Sequence, residues 1–281
     1  MAENCTHDCS SCSSATCGSR KKESFLKAPH KDSSVKKVIG VVSGKGGVGK
    51  SLTTSLLASL AQKKGYRVGI MDADITGPSI PHMFGVHEHA TGSEAGINTV
   101  ETESGIQLMS MNLLLDDATT PVVWRGMVIS GTVLQFWTDV IWKDVDLLFI
   151  DMPPGTGDVP LTVFQSLPIA GIVIVTTPQD LVKMVVEKAV NMAQMMNVPV
   201  LGLVENMSYL ACPDCGKKIE VFGKSHAGEI ANEYLIPSVA RMPLDAQIST
   251  LADAGNIEGY STDALEEVFA CIEKIPPKKA E

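Results

Sequence analysis

The chain has 281 residues, of which 44% are hydrophobic and 20% charged, with a formal net charge of −9. That is ordinary globular composition at a length an open α/β sheet can reach as one folded unit. The first 37 residues hold seven Lys/Arg against four Asp/Glu, leaving 16 against 28 in the remainder; so acidic a body is a poor electrostatic footprint for DNA or an anionic membrane surface.

Residues 1–36 are rich in Cys, Ser, Lys and His, show neither helical nor strand periodicity, and are expected to form a tail separate from a folded domain over 37–281. No apolar run marks a signal peptide there, and the most apolar segments downstream, 147–150 and 169–175, are only strand-length, so a cytoplasmic protein is expected. The tail carries Cys5, Cys9, Cys12 and Cys17, four soft ligands within thirteen residues. Such a set can close an iron–sulfur or zinc site within one chain, or stay metal-free in a disordered tail.

A buried strand is predicted at 38–43. It leads into Gly44-Lys45-Gly46-Gly47-Val48-Gly49-Lys50-Ser51 and then a helix whose apolar positions Leu52, Leu56, Leu57, Leu60 and Ala61 run to a stop at Gly65. Strand, glycine loop and helix in that order form a phosphate cradle. Backbone N–H groups wrap the anion, Lys50 neutralises the β and γ oxygens, and the Ser51 hydroxyl suits Mg²⁺. A second predicted strand, 67–71, runs into Asp72-Ala73-Asp74, where an open α/β sheet places its ligand crevice. Two carboxylates there can serve the metal shell and the attacking water of a nucleoside triphosphatase.

Further strands are predicted at 105–109, 147–150, 172–176 and 200–204, with helices at 128–138, 180–196 and 263–274. The alternation predicts an α/β fold, a doubly wound, mainly parallel sheet with helices on both faces. Asp151 ends the 147–150 strand in the Walker B arrangement and is expected to hold Mg²⁺ through water. In Met152-Pro153-Pro154-Gly155-Thr156-Gly157-Asp158 the prolines stiffen the loop and leave Gly155 and Gly157 as its mobile points. Cys212-Pro213-Asp214-Cys215 offers two metal ligands where a tetrahedral zinc site or a [4Fe–4S] cluster takes four, and a homodimer could supply the other pair across its two-fold axis. Zinc bridging and a thioredoxin-like redox pair are the alternatives for this motif. Cys271 reads as a buried apolar residue of the last helix, and His82, His87 and His89 as loop histidines.

Taken together these motifs resemble the deviant Walker A ATPases, in which a lysine directly follows the first loop glycine, and within them the Mrp/ApbC iron–sulfur carriers. The resemblance covers 35–265, and it implies a homodimer with ATP between the subunits and Lys45 reaching across to the partner's nucleotide. It further implies Asp74 at the water and Asp72 on the metal side, with Lys45, Lys50 and Asp74 as the catalytic set. Segment 152–158, with Pro154, Gly155 and Gly157, corresponds to switch II. Asn206 would read the adenine, with Pro243 and Asp245 in the loop closing over the base. Cys212 and Cys215 would hold a dimer-bridging [4Fe–4S] cluster for delivery to apo-proteins. Trp124-Arg125-Gly126-Met127 also resembles the carriers, though without the proline expected next, and 224–226 departs from the glycines expected there. The rival readings are a MinD/ParA-type positioning ATPase, which would require a basic patch or a membrane-binding C-terminal helix, and an electron-transfer reductase like the nitrogenase iron protein.

Overall fold

The computed structural model describes residues 25–115, 126–179 and 182–278. Cys5, Cys9, Cys12, Cys17, Trp124, Arg125 and Asp180 lie outside them. In chain order the elements are β1 (Val35–Ser43), α1 (Lys50–Lys63), β2 (Val68–Asp72), the one-turn α2 (Ile80–Met83), β3 (Gly92–Ser93), β4 (Gly96–Asn98), β5 (Val100–Glu101) and β6 (Gln107–Met109). They continue as α3 (Gly126–Thr138), β7 (Val140–Ile141), β8 (Val145–Asp151), α4 (Asp158–Ser166), β9 (Ile169–Thr176), α5 (Val182–Met195), β10 (Val200–Ala211) and β11 (Lys218–Ile219). The last four are α6 (Ala227–Glu233), β12 (Val239–Pro243), α7 (Ala246–Asp253) and α8 (Glu266–Lys274).

Nine strands form the main sheet in the order β11-β10-β9-β1-β8-β2-β6-β5, with β12 also paired to β10. The pairings among β12, β10, β9, β1, β8, β2 and β6 are parallel, while β11 and β5 pair antiparallel to their neighbours. Central parallel strands are covered on both faces, so successive side chains must both be apolar. In β1, Val38 and Val42 enter one core with α3, α4, α5 and α6, whereas Ile39 and Val41 enter the other with α1, α7 and α8. The doubly wound parallel sheet expected from the sequence is therefore the observed one.

Helix α1 stops as its glycine predicts. Gly65 takes φ 87° and the N–H of Tyr66 turns back to the carbonyl of Ala61 at 3.2 Å, a conformation that carries little penalty without a Cβ.

The folded part reaches further toward the N-terminus than the boundary expected at 36. Lys27 N–H donates to Ser166 O at 2.7 Å, Trp137 Nε1 donates to Lys27 O at 2.8 Å, and Ser34 N–H donates to Trp142 O at 2.8 Å. This strap has no period to betray it, because the bonds that hold it to the domain go to α3, α4 and the segment after β7. Cys271 is half-buried at the edge of a core and not enclosed by it, and His82 sits in α2 and not in a loop.

Asp146 anchors the start of β8. Its carboxylate accepts from Lys36 Nζ at 2.7 Å and from the Arg67 backbone N–H at 2.9 Å. Partial burial pushes this carboxyl up, but the hydrogen bonds from Lys36 and Arg67 outweigh that and bring it down to about 2. A depressed carboxyl contributes stability that is fully present above its unfolded value and lost as pH falls through the folded one. Asp146→Asn should therefore cost about 1 kcal/mol or less at pH 7, as expected for a pair with an exposed lysine. In thermal melts the gap to wild type should close between pH 4 and pH 2; a gap that widens there contradicts the assignment.

Candidate nucleotide and thiol sites

The loop after β1 lies at the C-terminal edge of the parallel sheet, with Gly49 as N-cap of α1 at φ 81°. A side chain there would be strained and would also collide with Asn206, whose Nδ2 lies 2.1 Å from the site of an added Cβ. A cavity of about 220 Å³ opens over this loop and is lined by Lys45, Gly47, Lys50, Ser51, Asp74 and Pro154 among others. Four of these come from the loop, Asp74 follows β2 and Pro154 follows β8, so the ends of three elements converge on one phosphate-sized space.

Lys50 is buried and its Nζ lies 2.8 Å from Asp151 Oδ1 and 3.7 Å from Asp74 Oδ2. Ser51 Oγ donates to Asp151 Oδ2 at 2.5 Å, and Thr54 Oγ1 donates to Asp151 Oδ1 at 2.9 Å. Asp151 is wholly buried at the end of β8, in register with Asp72 on β2. The predicted lysine, serine and Walker B acid are thus brought together. Thr54 was not singled out in the sequence, although its place three residues after Ser51 on one helix face was the available signal.

Asp72 and Asp74 part company. The Asp72 carboxylate accepts from Ser110 Oγ at 3.1 Å and from the Asp74 backbone N–H at 3.2 Å, so it braces the turn after β2. Complete burial, with the nearby Asp151 charge second, pushes its carboxyl up to about 7. Asp74 faces the cavity. Burial raises its carboxyl above the usual range while the Lys50 ammonium pulls it back.

In the 152–158 loop, Gly155 N–H donates to Ser43 O at 2.7 Å, and Gly157 is the N-cap of α4. Lys45 Nζ donates to Gln179 Oε1, beyond the end of β9 in the same chain, a partner to which no local pattern points. Gly44 packs against α5, where an added Cβ would meet Val185 Cγ1 at 2.1 Å and Val185 O at 3.0 Å. Gly44→Ala should therefore displace the helix or the loop, costing about 1–3 kcal/mol as overpacking does, and should weaken nucleotide affinity at least about tenfold. Calorimetric titration with ADP and a thermal melt measure the two.

Asn206 is buried in β10, where its Nδ2 donates to Val48 O in the glycine loop at 3.0 Å. Pro243 ends β12, and Asp245 caps α7 by accepting from Gln247 N–H at 2.8 Å while Tyr260 donates to its other oxygen at 3.2 Å.

Strand β10 runs on past the sheet into a hairpin with β11, and the two cysteines sit in its turn. Cys212 N–H donates to Lys217 O at 3.0 Å and Gly216 N–H returns to Cys212 O at 2.9 Å. Both thiols are free, Cys212 half-buried and Cys215 exposed. The backbone N–H groups of Cys215 and Asp214, then the Cys215 thiol, lower the Cys212 thiol; this is how a tight knuckle favours the thiolate that binds soft metals. Among the described residues no group of three or more His, Cys, Asp or Glu could hold a metal ion, the three histidines at 82, 87 and 89 included. Among the described residues, one chain thus offers the knuckle two thiols and no third ligand to join them.

Residues 34–275 match the family described as ParA: NUBPL iron-transfer P-loop NTPase. The chain is 47% identical over 234 residues to the iron-sulfur cluster carrier protein of Clostridium perfringens, covering 80% of this chain and 82% of that one. It is 43% identical over 261 residues to the carrier protein of that name from Methanocaldococcus jannaschii, covering 91% and 90%. Among solved structures it is similar to the nucleotide-binding protein of Archaeoglobus fulgidus in complex with ADP, at TM-score 0.74 and 42% identity over 88% of this chain and 95% of that one. The cell division ATPase MinD of Pyrococcus furiosus shares the fold at TM-score 0.60 and 20% identity, over 85% and 99%. By the extent of these matches and by the loop, acid and thiol geometry, this chain belongs to the NUBPL iron-transfer P-loop NTPase family.

Proposed function

We propose that this protein is a homodimeric, ATP-hydrolysing carrier that binds a [4Fe–4S] cluster between the Cys212/Cys215 pairs of two subunits and delivers it to apo-proteins. The observation that carries the reading is the knuckle itself. Two thiols, one of them biased toward thiolate, stand in the turn after the strand whose Asn206 touches the phosphate loop. The tail of 1–24 with Cys5, Cys9, Cys12 and Cys17 is proposed as a second metal-binding segment.

In the nucleotide site, phosphate oxygens draw Lys50 from its carboxylate partners, and the glycine-loop N–H groups take the rest of the charge. The hard oxygens of Ser51 and Asp151, already 2.5 Å apart, suit Mg²⁺, with Asp72 behind them. Magnesium, when bound, would supply charge neutralisation at the β and γ oxygens. Asp74 then orients the attacking water, and its raised carboxyl makes it a better base than an ordinary aspartate. Asn206 keeps a second amide hydrogen and a carbonyl for the adenine edge, beside the loop of Pro243 and Asp245. Gly155 exchanges its bond to Ser43 for the γ-phosphate, and Lys45 leaves Gln179 to enter the partner's site.

Helix α8 speaks against a membrane-positioning role. Its apolar residues Val268, Phe269 and Ile272 are spent on the core, and its exposed side carries Glu266, Glu267 and Glu273. No helix among the described residues is long and apolar enough to cross a membrane.

The dimer is tested by mixing inactive Lys45→Ala chains with inactive Asp74→Ala chains. A mixed dimer contains one site with both residues if Lys45 acts in trans, so about a quarter of wild-type turnover is expected from random assortment with half the dimers mixed. Verified mixed dimers without recovered activity would place Lys45 in cis. Stoichiometric transfer to an acceptor that needs [4Fe–4S] separates a carrier from a reductase, which keeps its cluster.

A further inference from the structure

Strand β10 carries the contact to the phosphate loop, and the first cargo thiol follows six residues later in the turn into β11. Asn206 holds Val48 O and Cys212 opens the knuckle. Between them the strand does not run regularly. Its pairing with β12 jumps from Glu205 opposite Arg241 to Tyr209 opposite Pro243, four residues against two, and Met207 takes φ 55°. A non-glycine residue in the left-handed region persists only where its surroundings over-determine it.

The surroundings here are a polar clamp. Glu205, 1% exposed, accepts from Ser208 Oγ at 2.5 Å, and Ser208 accepts in turn from Arg241 Nε at 2.7 Å. Arg241 Nε also lies 3.6 Å from Glu205 Oε2, so the buried charge is compensated. The other end of the same guanidinium, Nη2, donates to Glu220 Oε1 at 3.1 Å, on the residue just after β11. Lys218 of β11 stacks over Tyr209 at 4.3 Å. A planar fork can bridge the bulge and the hairpin at once, which a lysine could not.

We propose that Arg241 is the positioning residue of a relay. Movement of the phosphate loop shifts Asn206, the bulge passes the shift to the guanidinium, and the guanidinium re-aims the β10–β11 hairpin that carries Cys212 and Cys215. Nucleotide state thereby sets the exposure of the thiols, and by linkage the thiols' occupancy sets nucleotide affinity. The relay's purpose rests on the carrier reading, but its existence does not.

The test uses the full-length, metal-free chain and iodoacetamide, with the peptide containing Cys212 and Cys215 resolved from the tail cysteines by mass spectrometry. In wild type the labelling rate should change at least about fivefold on saturation with Mg·ATPγS, the lower end of ordinary allosteric coupling. In Arg241→Ala that ratio should collapse to near one while ATPγS still binds. Because removing Arg241 leaves Glu205 buried without its cation, Glu220→Ala is the companion variant: it cuts only the exposed arm of the clamp and should abolish the ratio as well. A purely structural role would change the rates equally with and without nucleotide and leave the ratio standing. A flat wild-type response, or a wild-type ratio in either folded variant, overturns the relay. Nucleotide-dependent labelling in a chain that assembles no cluster on reconstitution supports the relay and removes the carrier reading.

Discussion

Lys50→Ala is expected to lower ATP hydrolysis by at least about 10²–10³-fold, the loss that follows removal of a preorganised group facing transition-state charge in a dry site. The structure adds a second effect. Lys50 is the cation between Asp151 and Asp74, so its removal leaves a fully buried carboxylate whose remaining side-chain donors, among the described residues, are the hydroxyls of Ser51 and Thr54. Breaking a buried ion pair from one side costs about 3–5 kcal/mol unless the carboxyl takes up a proton. The variant should therefore be both inactive and less stable at neutral pH. Circular dichroism before the assay separates loss of chemistry from loss of fold, and Lys50→Gln, which keeps a donor, should recover part of the stability and none of the turnover. Normal turnover in folded Lys50→Ala would remove the phosphate-loop assignment.

Replacing either knuckle cysteine should abolish cluster binding outright. The experiment is made on a chain beginning at Phe25, which retains the strap from Lys27 onward and removes the tail cysteines that would mask a loss. That chain should hold about four iron and four sulfide per dimer after anaerobic reconstitution, as four thiolates ligate one cubane, and should pass them to an apo-acceptor. Cys215→Ala and Cys212→Ala should each fall to background while ADP still binds, because the phosphate loop is built on β1 and α1 and the thiols in the turn beyond the far end of β10. Cys215 is exposed, so its replacement carries little folding cost, which makes it the cleaner variant. Unchanged iron in Cys215→Ala would rule out the shared site. Zinc without sulfide would leave a thiol-bridged dimer and sink the carrier.

The parts of this protein written in local pattern were legible without its structure. A glycine loop between an apolar strand and a helix and an acid ending a second apolar strand depend on spacing along one segment, and each lies where its spacing implied. The doubly wound sheet was legible for a related reason, since strands buried on both faces show unbroken apolar runs and helices between them show a different period. Elements without such a signal were missed. Helix α4 begins Asp158-Val159-Pro160 directly after a proline–glycine loop and reads as its continuation, although a proline in the first turn costs a helix little. Helices α6 and α7 are too short for a period to emerge, and β10 runs seven residues beyond its apolar stretch.

What tertiary structure alone decided is how the site is wired. Asn206 grips Val48 across 158 positions, Lys45 rests on Gln179 across 134, and Arg241 reaches Ser208 and Glu220 from a different strand. The resemblance supplied roles for Asn206 and Lys45 but not these partners, and Arg241 and Glu205 carried no signal at all. The physical reason is that a polar side chain's partner is fixed by desolvation. Glu205 and Asp151 are removed from water by the packing of the whole sheet, and each must then find its donors in whatever segment that packing brings alongside. Composition and period say which residues leave water, and only the assembled sheet says which donors they meet there.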